Sequence, residues 1–268
     1  MKLLQLELLK FKKHRGIKIG LILYLLLMIG GYFTFKEISK FSDNPLINLK
    51  ALNEFPMIWE LMAYLGNWMA FIILGFIGIQ MVSIEFSNKT FRQNVISGLS
   101  RRDFWLSKII SAFTLTLGVT VFYITLTLIL GFVFSEDKSD VFSGSTGMTI
   151  LYFMLMTFGY IIIGMFTAFA IRRGTAAIFV YFIYGMFLEN FIRWAVHAKM
   201  IPGSISMHFY PMNVLEDLTP LPYYSQMSNM SEAPVELLLS QNMALLGAVV
   251  YTTIFIAIMY RLSVKKDI

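Results

Sequence analysis

The chain has 268 residues, of which 57% are hydrophobic and only 14% are charged, and its formal net charge is +6. Soluble domains carry about 45–50% apolar and about 25% charged residues, so this composition excludes an ordinary soluble core and favours a protein embedded in lipid. The sequence contains no cysteine, which excludes disulfide bonds and cysteine-ligated metal or redox centres.

Residues 1–18 predict an amphipathic helix that lies on the membrane surface. Leu4, Leu8 and Phe11 fall on one helical face, while Lys10 and Lys12 stay on the polar side. The alternative is an ordinary basic flank of the first membrane span. No small-residue cleavage site closes the apolar run that follows, so we interpret that run as an uncleaved span and not as a signal peptide.

Six stretches that are almost free of charge predict six transmembrane helices in a single all-α domain, residues 1–268. About 20 apolar residues are needed to cross the hydrocarbon core. The fifth span reaches that length only if Glu189 sits near the outer headgroups and the helix continues to Arg193. The spans are expected at approximately residues 19–35, 62–84, 108–134, 148–171, 174–193 and 239–260.

Two of these spans contain pairs of glycines that allow close helix packing. Gly75 and Gly78 lie in the second span, and Gly159 and Gly164 lie in the fourth. Small residues let two helix backbones approach closely inside a membrane. Packing within the chain is the expected role, and a dimer face is the alternative.

The distribution of charge predicts that both termini lie in the cytoplasm. In that orientation the cytoplasmic segments hold 16 of the 22 Lys and Arg residues but only four of the 16 acidic residues. Basic residues next to spans resist translocation and remain on the cytoplasmic side. The positive net charge is therefore explained by topology, and nucleic-acid binding is not expected.

Between the second and third spans, residues 85–107 are expected to form a short cytoplasmic segment. Apolar residues repeat at helical spacing in its first part, Gly98 breaks the helix, and Ser100 can cap a second helix with Asp103 in its first turn. An apolar stripe in such a position needs lipid headgroups or a partner protein to pack against.

Residues 194–238 form the largest segment outside the predicted spans. They combine five prolines with many apolar and aromatic residues, which a merely solvated loop would not need. We expect short extracytoplasmic helices or re-entrant pieces packed on the outer mouth of the spans, because non-helical backbone at that depth must be buried by protein.

Glu189 and Arg193 are the candidates for a polar site inside the membrane. Ionisable residues within spans are functional candidates by default. Their separation of four residues also allows an ordinary ion pair at the membrane interface, which is the alternative interpretation.

The sequence lacks three motifs of well-known enzyme classes. It has no Gly-x-x-x-x-Gly-Lys-Ser/Thr loop to hold nucleotide phosphates, no His-Glu-x-x-His and no Gly-x-Ser-x-Gly. Its histidines, His14, His197 and His208, have no metal-binding spacing. We therefore predict no catalytic residue, metal site or cofactor in this chain.

The segment after the second span resembles the signature of ABC-2-type transporter permeases, the membrane subunits of bacterial ATP-driven exporters. In that family a Glu is followed by a Thr, a helix break, a Ser-Arg pair and a Lys at the start of the next span. The matching residues are Glu85, Thr90, Ser100, Arg101 and Lys108. The six-span layout and the large segment before the last span extend the resemblance over the whole chain.

The resemblance implies that this segment contains a coupling helix that docks on a separate ATPase, which would carry the ATP and Mg²⁺. Anchoring to anionic lipid is the alternative role for its basic residues. The residues expected at or near the ATPase contact are Glu85, Thr90, Arg92, Gly98, Ser100, Arg101 and Lys108.

The resemblance also implies partners and a location. A second permease copy, identical or homologous, would complete the translocation path within the bacterial cytoplasmic (inner) membrane, in contact with membrane lipids. The alternatives are a self-contained six-span carrier or channel, a membrane-embedded enzyme, and a membrane anchor of a gliding-motility-type machine.

Overall fold

The computed structural model describes residues 14–40, 49–88, 98, 100–222 and 238–264. Most of the surface helix expected over residues 1–18 lies outside these ranges, as do Thr90 and Arg92. The described part of that segment, from Arg15 onward, already belongs to the first long helix.

The described chain is helical and contains no strand, and six of its helices are long and apolar enough to cross a membrane. This confirms the all-α fold and the six predicted spans. The helices are α1 (Arg15–Lys40), α2 (Ile58–Ser87), α3 (Arg101–Phe134), α4 (Thr146–Ile171), α5 (Gly174–Met200), α6 (Pro211–Glu216) and α7 (Gln241–Val264). Short 3₁₀ helices cover Leu49–Asn53 and Ile205–His208.

The span boundaries differ most from the prediction in α3 and α5. The third span was expected from residue 108, but α3 begins at Arg101. The fifth was expected to end near Arg193, but α5 continues to Met200. Helices end where a cap or a helix-breaking residue occurs, whereas a hydrophobic window locates only the part that lipid can surround.

The long helices alternate in direction, with α2 and α4 at the centre. Antiparallel packing of α1 on α2 places Gly20 against Ile77 and Gly31 near Leu65. In α2 and α4, 67% of the most apolar stretch is buried, compared with 17% in α5. The outer helices therefore present apolar side chains outward, as a lipid environment allows.

Close packing of α2 against α4 depends on glycine, as the sequence predicts. A Cβ atom at Gly78 would collide with the carbonyl oxygen of Ile161, and one at Gly164 would collide with the carbonyl oxygen of Gly75. Because backbone oxygens cannot rotate away, no larger side chain fits without separating the two helices.

The bundle has two structurally distinct ends. We call the end where α2 stops at Ser87 and α3 begins at Arg101 the hairpin end. At the opposite end, residues 201–222, which we call the cap segment, include the second 3₁₀ helix and α6. Short helices between the fifth and sixth spans were expected, and the cap segment contains them.

Wide π-helical turns interrupt α2 at Ala70–Leu74 and α5 at Tyr184–Leu188 and Ile192–His197. A π-turn disturbs the regular hydrogen-bond ladder of a helix and often marks a functional position. Here the Tyr181 hydroxyl of α5 donates a 2.9 Å hydrogen bond to the carbonyl oxygen of Phe71 in α2. This bond joins the π-turn of α2 to the regular part of α5 just before its first π-turn.

We predict that Gly78→Ala destabilises the protein by about 1–3 kcal/mol, the usual cost of overpacking, because its methyl group meets a backbone oxygen. Gly118→Ala is the matched control, since nothing lies within 4 Å of a Cβ atom at that position in α3. Thermal unfolding in detergent, followed by size-exclusion chromatography, measures both. Equal melting temperatures for the two variants would contradict the proposed tight contact.

Candidate functional site

At the hairpin end, the chain turns at Gly98 and restarts as a helix after Ser100. Gly98 has a φ of +97°, a backbone conformation that favours glycine. Ser100 is extended, and its Oγ accepts a 3.0 Å hydrogen bond from the Asp103 backbone N–H. The predicted helix cap at Ser100 is therefore confirmed, with Asp103 in the first turn of α3, where a negative charge is favoured.

A buried ion pair joins the two helices of this hairpin. The Lys108 Nζ of α3 donates a 2.8 Å hydrogen bond to Glu85 Oε1 of α2. Both side chains are at most 2% exposed. Lys108 also lies 5.4 Å from the ring centroid of Phe104, which is itself buried. An uncompensated charge at this depth is costly, so each residue depends on the other.

The structure thus places Glu85 and Lys108 inside the chain, although the resemblance suggested positions at or near a partner contact. Their side chains are buried and bonded to each other, so they are not exposed at the surface. They instead fix the distance between the two ends of the loop. Arg101 is half-buried and Arg102 is exposed, so the start of α3 carries positive charge at the surface.

At the cap end, Glu189 and Arg193 are both buried, but no ion pair within 4.0 Å joins them. Glu189 instead accepts hydrogen bonds from the backbone N–H groups of Met212, at 3.1 Å, and Asn213, at 2.7 Å. These groups belong to the first turn of α6, where backbone donors lack helical partners. Arg193 Nη2 lies 3.1 Å from His208 Nδ1. Both residues therefore bind the cap segment, not each other.

The same polar cluster reaches the beginning of α7. Asn213 Nδ2 donates to the carbonyl oxygen of His208 at 2.8 Å and to Asp217 Oδ2 at 3.0 Å. Asp217 Oδ2 also accepts a 3.0 Å hydrogen bond from the Leu239 backbone N–H, just before α7. One carboxylate therefore connects the end of α6 to the start of the last span.

A second anchor connects the cap segment to the central helices. Asn67 Nδ2 in α2 donates to the carbonyl oxygen of Glu216 at 3.0 Å and to Thr219 Oγ1 at 2.8 Å. Its Oδ1 accepts a 2.9 Å hydrogen bond from the Tyr160 hydroxyl of α4. All four residues are at least partly buried. The cap segment is thus attached to α2, α4, α5 and α7.

Sequence reasoning missed Asn67, Tyr160, Asn213 and Asp217. A polar amide inside an otherwise apolar span was a usable signal for Asn67. The four-residue spacing of Glu189, Arg193 and His197 was a second usable signal in the sequence, because residues four apart lie on the same face of a helix. His197 Nε2 indeed lies 2.8 Å from Ser206 Oγ in the cap segment.

Burial perturbs the two acidic residues at the end of α6. It raises the pKa of Asp217 from its usual 3.8 to about 7, against the opposing effect of the Leu239 N–H hydrogen bond, and the neighbouring Glu216 raises it further. Burial also raises the pKa of Glu216, while Arg193 acts in the opposite direction. Among the described residues, no group of three or more His, Asp or Glu side chains could hold a metal ion.

Comparison with known proteins identifies a family. The model of a family described as ABC-2 family transporter protein matches residues 50–264, which include the hairpin, the cap segment and α2 to α7. A search of curated proteins finds no match.

We predict that Lys108→Met destabilises the protein by about 3–5 kcal/mol, because it leaves Glu85 buried without its counter-charge. The double variant Glu85→Leu with Lys108→Met removes both charges and should regain much of the loss. Melting temperatures of the single and double variants form a double-mutant cycle. Additive effects would contradict the coupling. The exposed Glu37–Lys40 pair of α1 provides the control, where Lys40→Met should change little.

We also predict that stability decreases as the pH rises from about 4 to about 7, because folded Asp217 holds its proton more tightly than the unfolded chain does. Asp217→Asn should remove the part of the pH dependence that is due to Asp217, because an amide does not ionise. The amide oxygen can still accept both hydrogen bonds, so the local structure should be kept. Melting temperatures between pH 4.5 and 8 measure the slope. Asp140→Asn, an exposed position between α3 and α4, is the control and should keep the wild-type slope.

Proposed function

Because the chain belongs to the ABC-2 family of transporter proteins, we propose that it is the membrane-spanning permease subunit of an ATP-driven exporter. Membership makes it a multi-pass membrane transport component and implies association with ABC ATPase subunits. The proposal adds the direction of transport and the way in which ATP hydrolysis on the partner moves the helices.

The observation that carries the mechanism is the buried Glu85–Lys108 pair. An ATPase docked on the segment between α2 and α3 would push on both ends of that segment. Since the pair clamps the last turn of α2 to the second turn of α3, the two helices would move as one body. The glycine-mediated contact then transmits this movement from α2 to α4.

We propose that the hairpin end faces the cytoplasm of a bacterium, with both termini on that side. In support, α1 begins there with Arg15, α4 and α5 meet there at Arg172 and Arg173, and α7 ends there after Arg261. Basic residues concentrate on the cytoplasmic side of membrane proteins. The cap segment would then lie on the extracytoplasmic side of the cytoplasmic membrane.

A second permease copy, identical or homologous, would complete the translocation path. The outward surface of α5 is almost entirely apolar and includes Phe179, Ile183, Phe187 and Phe191, each more than half exposed. Such a surface can pack against lipid or against another subunit. A path between two copies would also place the cap segments side by side.

We predict that Arg92→Glu with Arg101→Glu reduces co-purification of the ATPase, because it reverses the charge of the proposed docking segment. The matched control is Arg261→Glu with Lys265→Glu, which changes the net charge equally at the C-terminus. Unchanged ATPase association in the first variant would contradict the docking site. Transport by the purified chain reconstituted alone would instead indicate a self-contained carrier.

Both variants must keep their topology for this comparison to be valid. The chain has no cysteine, so a single Ser139→Cys or Arg102→Cys change gives one labelling site. A membrane-impermeant maleimide should label residue 139 in intact cells and residue 102 only after permeabilisation. The reverse pattern would overturn the proposed orientation.

A further inference from the structure

A cavity lies below the cap segment, enclosed by α2, α4, α5 and α6. Its volume is about 120 Å³. A dry protein cavity of about 150 Å³ is large enough to bind benzene. The cavity is therefore close to the size that a small organic group needs.

The cavity forms where two irregular turns meet. Phe71 belongs to the π-turn of α2, and Gly185 and Met186 belong to the first π-turn of α5. A Cβ atom at Gly185 would lie 2.6 Å from Phe71 Cε2, so a larger residue would disturb this wall. Trp68 and Tyr160 add two more aromatic rings to the lining.

Most polar groups of the lining are already used by the protein. The Tyr160 hydroxyl donates to Asn67, and Asn67 donates to the cap segment. The Asn190 amide N–H groups reach the carbonyl oxygens of Gly185 and Met186 at 3.4 and 3.3 Å, which leaves its side-chain oxygen as an acceptor.

The acidic residue of the lining is Glu216. Its backbone oxygen accepts the Asn67 bond, but within the described ranges no hydrogen bond or ion pair reaches its carboxylate. Burial raises the pKa of this carboxylate. The polar groups of this wall that have no partner among the described residues are therefore acceptors, which suit a ligand that brings donors or positive charge.

The charged side chains around the cavity also favour a ligand that carries a positive charge. Three acidic side chains, Glu189, Glu216 and Asp217, interact electrostatically with one guanidinium, that of Arg193, which lies against His208. Burial raises the pKa of Glu216 and Asp217 and so favours their neutral forms, whereas a bound cation would favour their ionised forms. Acidic groups in this partly buried position therefore suit a ligand that brings a positive charge. The aromatic rings add attraction for a cation through their negative faces.

We propose that this cavity binds an organic cation, an ammonium group attached to an apolar or aromatic body, with Glu216 as the counter-charge and Trp68 as part of the aromatic wall. As a substrate site this rests on the proposed function, but the binding itself is a property of the chain alone. The source of the ammonium group is either a soluble compound or the headgroup of a lipid such as phosphatidylethanolamine.

The test is equilibrium dialysis of labelled phenyltrimethylammonium against the purified full chain in neutral maltoside micelles. Tert-butylbenzene, which has nearly the same shape without the charge, is the competitor. We expect saturable binding that the neutral compound displaces poorly. Absence of saturable binding, or equal displacement by the neutral compound, would overturn the proposal.

Three variants assign the binding to this cavity. Glu216→Gln should weaken binding of the cation by about tenfold, because it removes the counter-charge and keeps the backbone bond to Asn67. Trp68→Ala should weaken it by a few-fold, and Trp68 is partly exposed, so the fold should tolerate the change. Glu136→Gln, an exposed position between α3 and α4, is the control and should bind normally. Wild-type affinity in Glu216→Gln would contradict the proposed site.

Two further comparisons identify the source of the ligand and distinguish failure of the cavity proposal from failure of the exporter proposal. Displacement of the probe by phosphatidylethanolamine but not by phosphatidylglycerol assigns the site to lipid headgroups, and no displacement by either assigns it to soluble cations. In both cases the ammonium specificity is supported. If the chain binds the probe but the ATPase never associates with it, the exporter proposal fails while the cavity proposal stands.

Discussion

The contact between α2 and α4 is the constraint on which the remaining structure depends. At Gly78 and Gly164 the two backbones approach so closely that a methyl group would strike a carbonyl oxygen. Lipid supplies no hydrophobic force that pushes helices together, so close packing and internal hydrogen bonds must hold them. The outer helices pack around this central pair, and α2 carries a buried polar residue toward each end of the bundle.

Near one end of α2, Glu85 is held by Lys108, and nearer the other end, Asn67 is held by Tyr160 and the cap segment. Both arrangements obey the same rule, since a polar group removed from water must find its partner within the protein. A single helix therefore connects the proposed ATPase contact to the polar cluster below the cap. A movement that begins at the hairpin could reach the cavity through α2 without any unfolding.

Several features followed from local patterns in the sequence. The six spans follow from the length of the apolar runs, because the thickness of the bilayer sets the required helix length. Ser100 was recognisable as a cap because capping involves only neighbours in the chain. The glycine pairs of the second and fourth spans indicated close helix packing. The signature around Glu85 and Lys108 pointed to the ABC-2 family, which the match over residues 50–264 shows.

Other features required the folded chain. The spacing of Glu189 and Arg193 allowed an ion pair, but the cap segment returns over α5 and offers each of them a better partner. Asn67 and Tyr160 are 93 residues apart, and no local pattern could join them. The sequence by itself thus determined which segments enter the membrane and where one helix begins, because those depend on nearby residues and on the solvent. Only the tertiary structure decided the partner of each buried polar group, because such partners come from segments that are distant in the chain and meet when the helices pack.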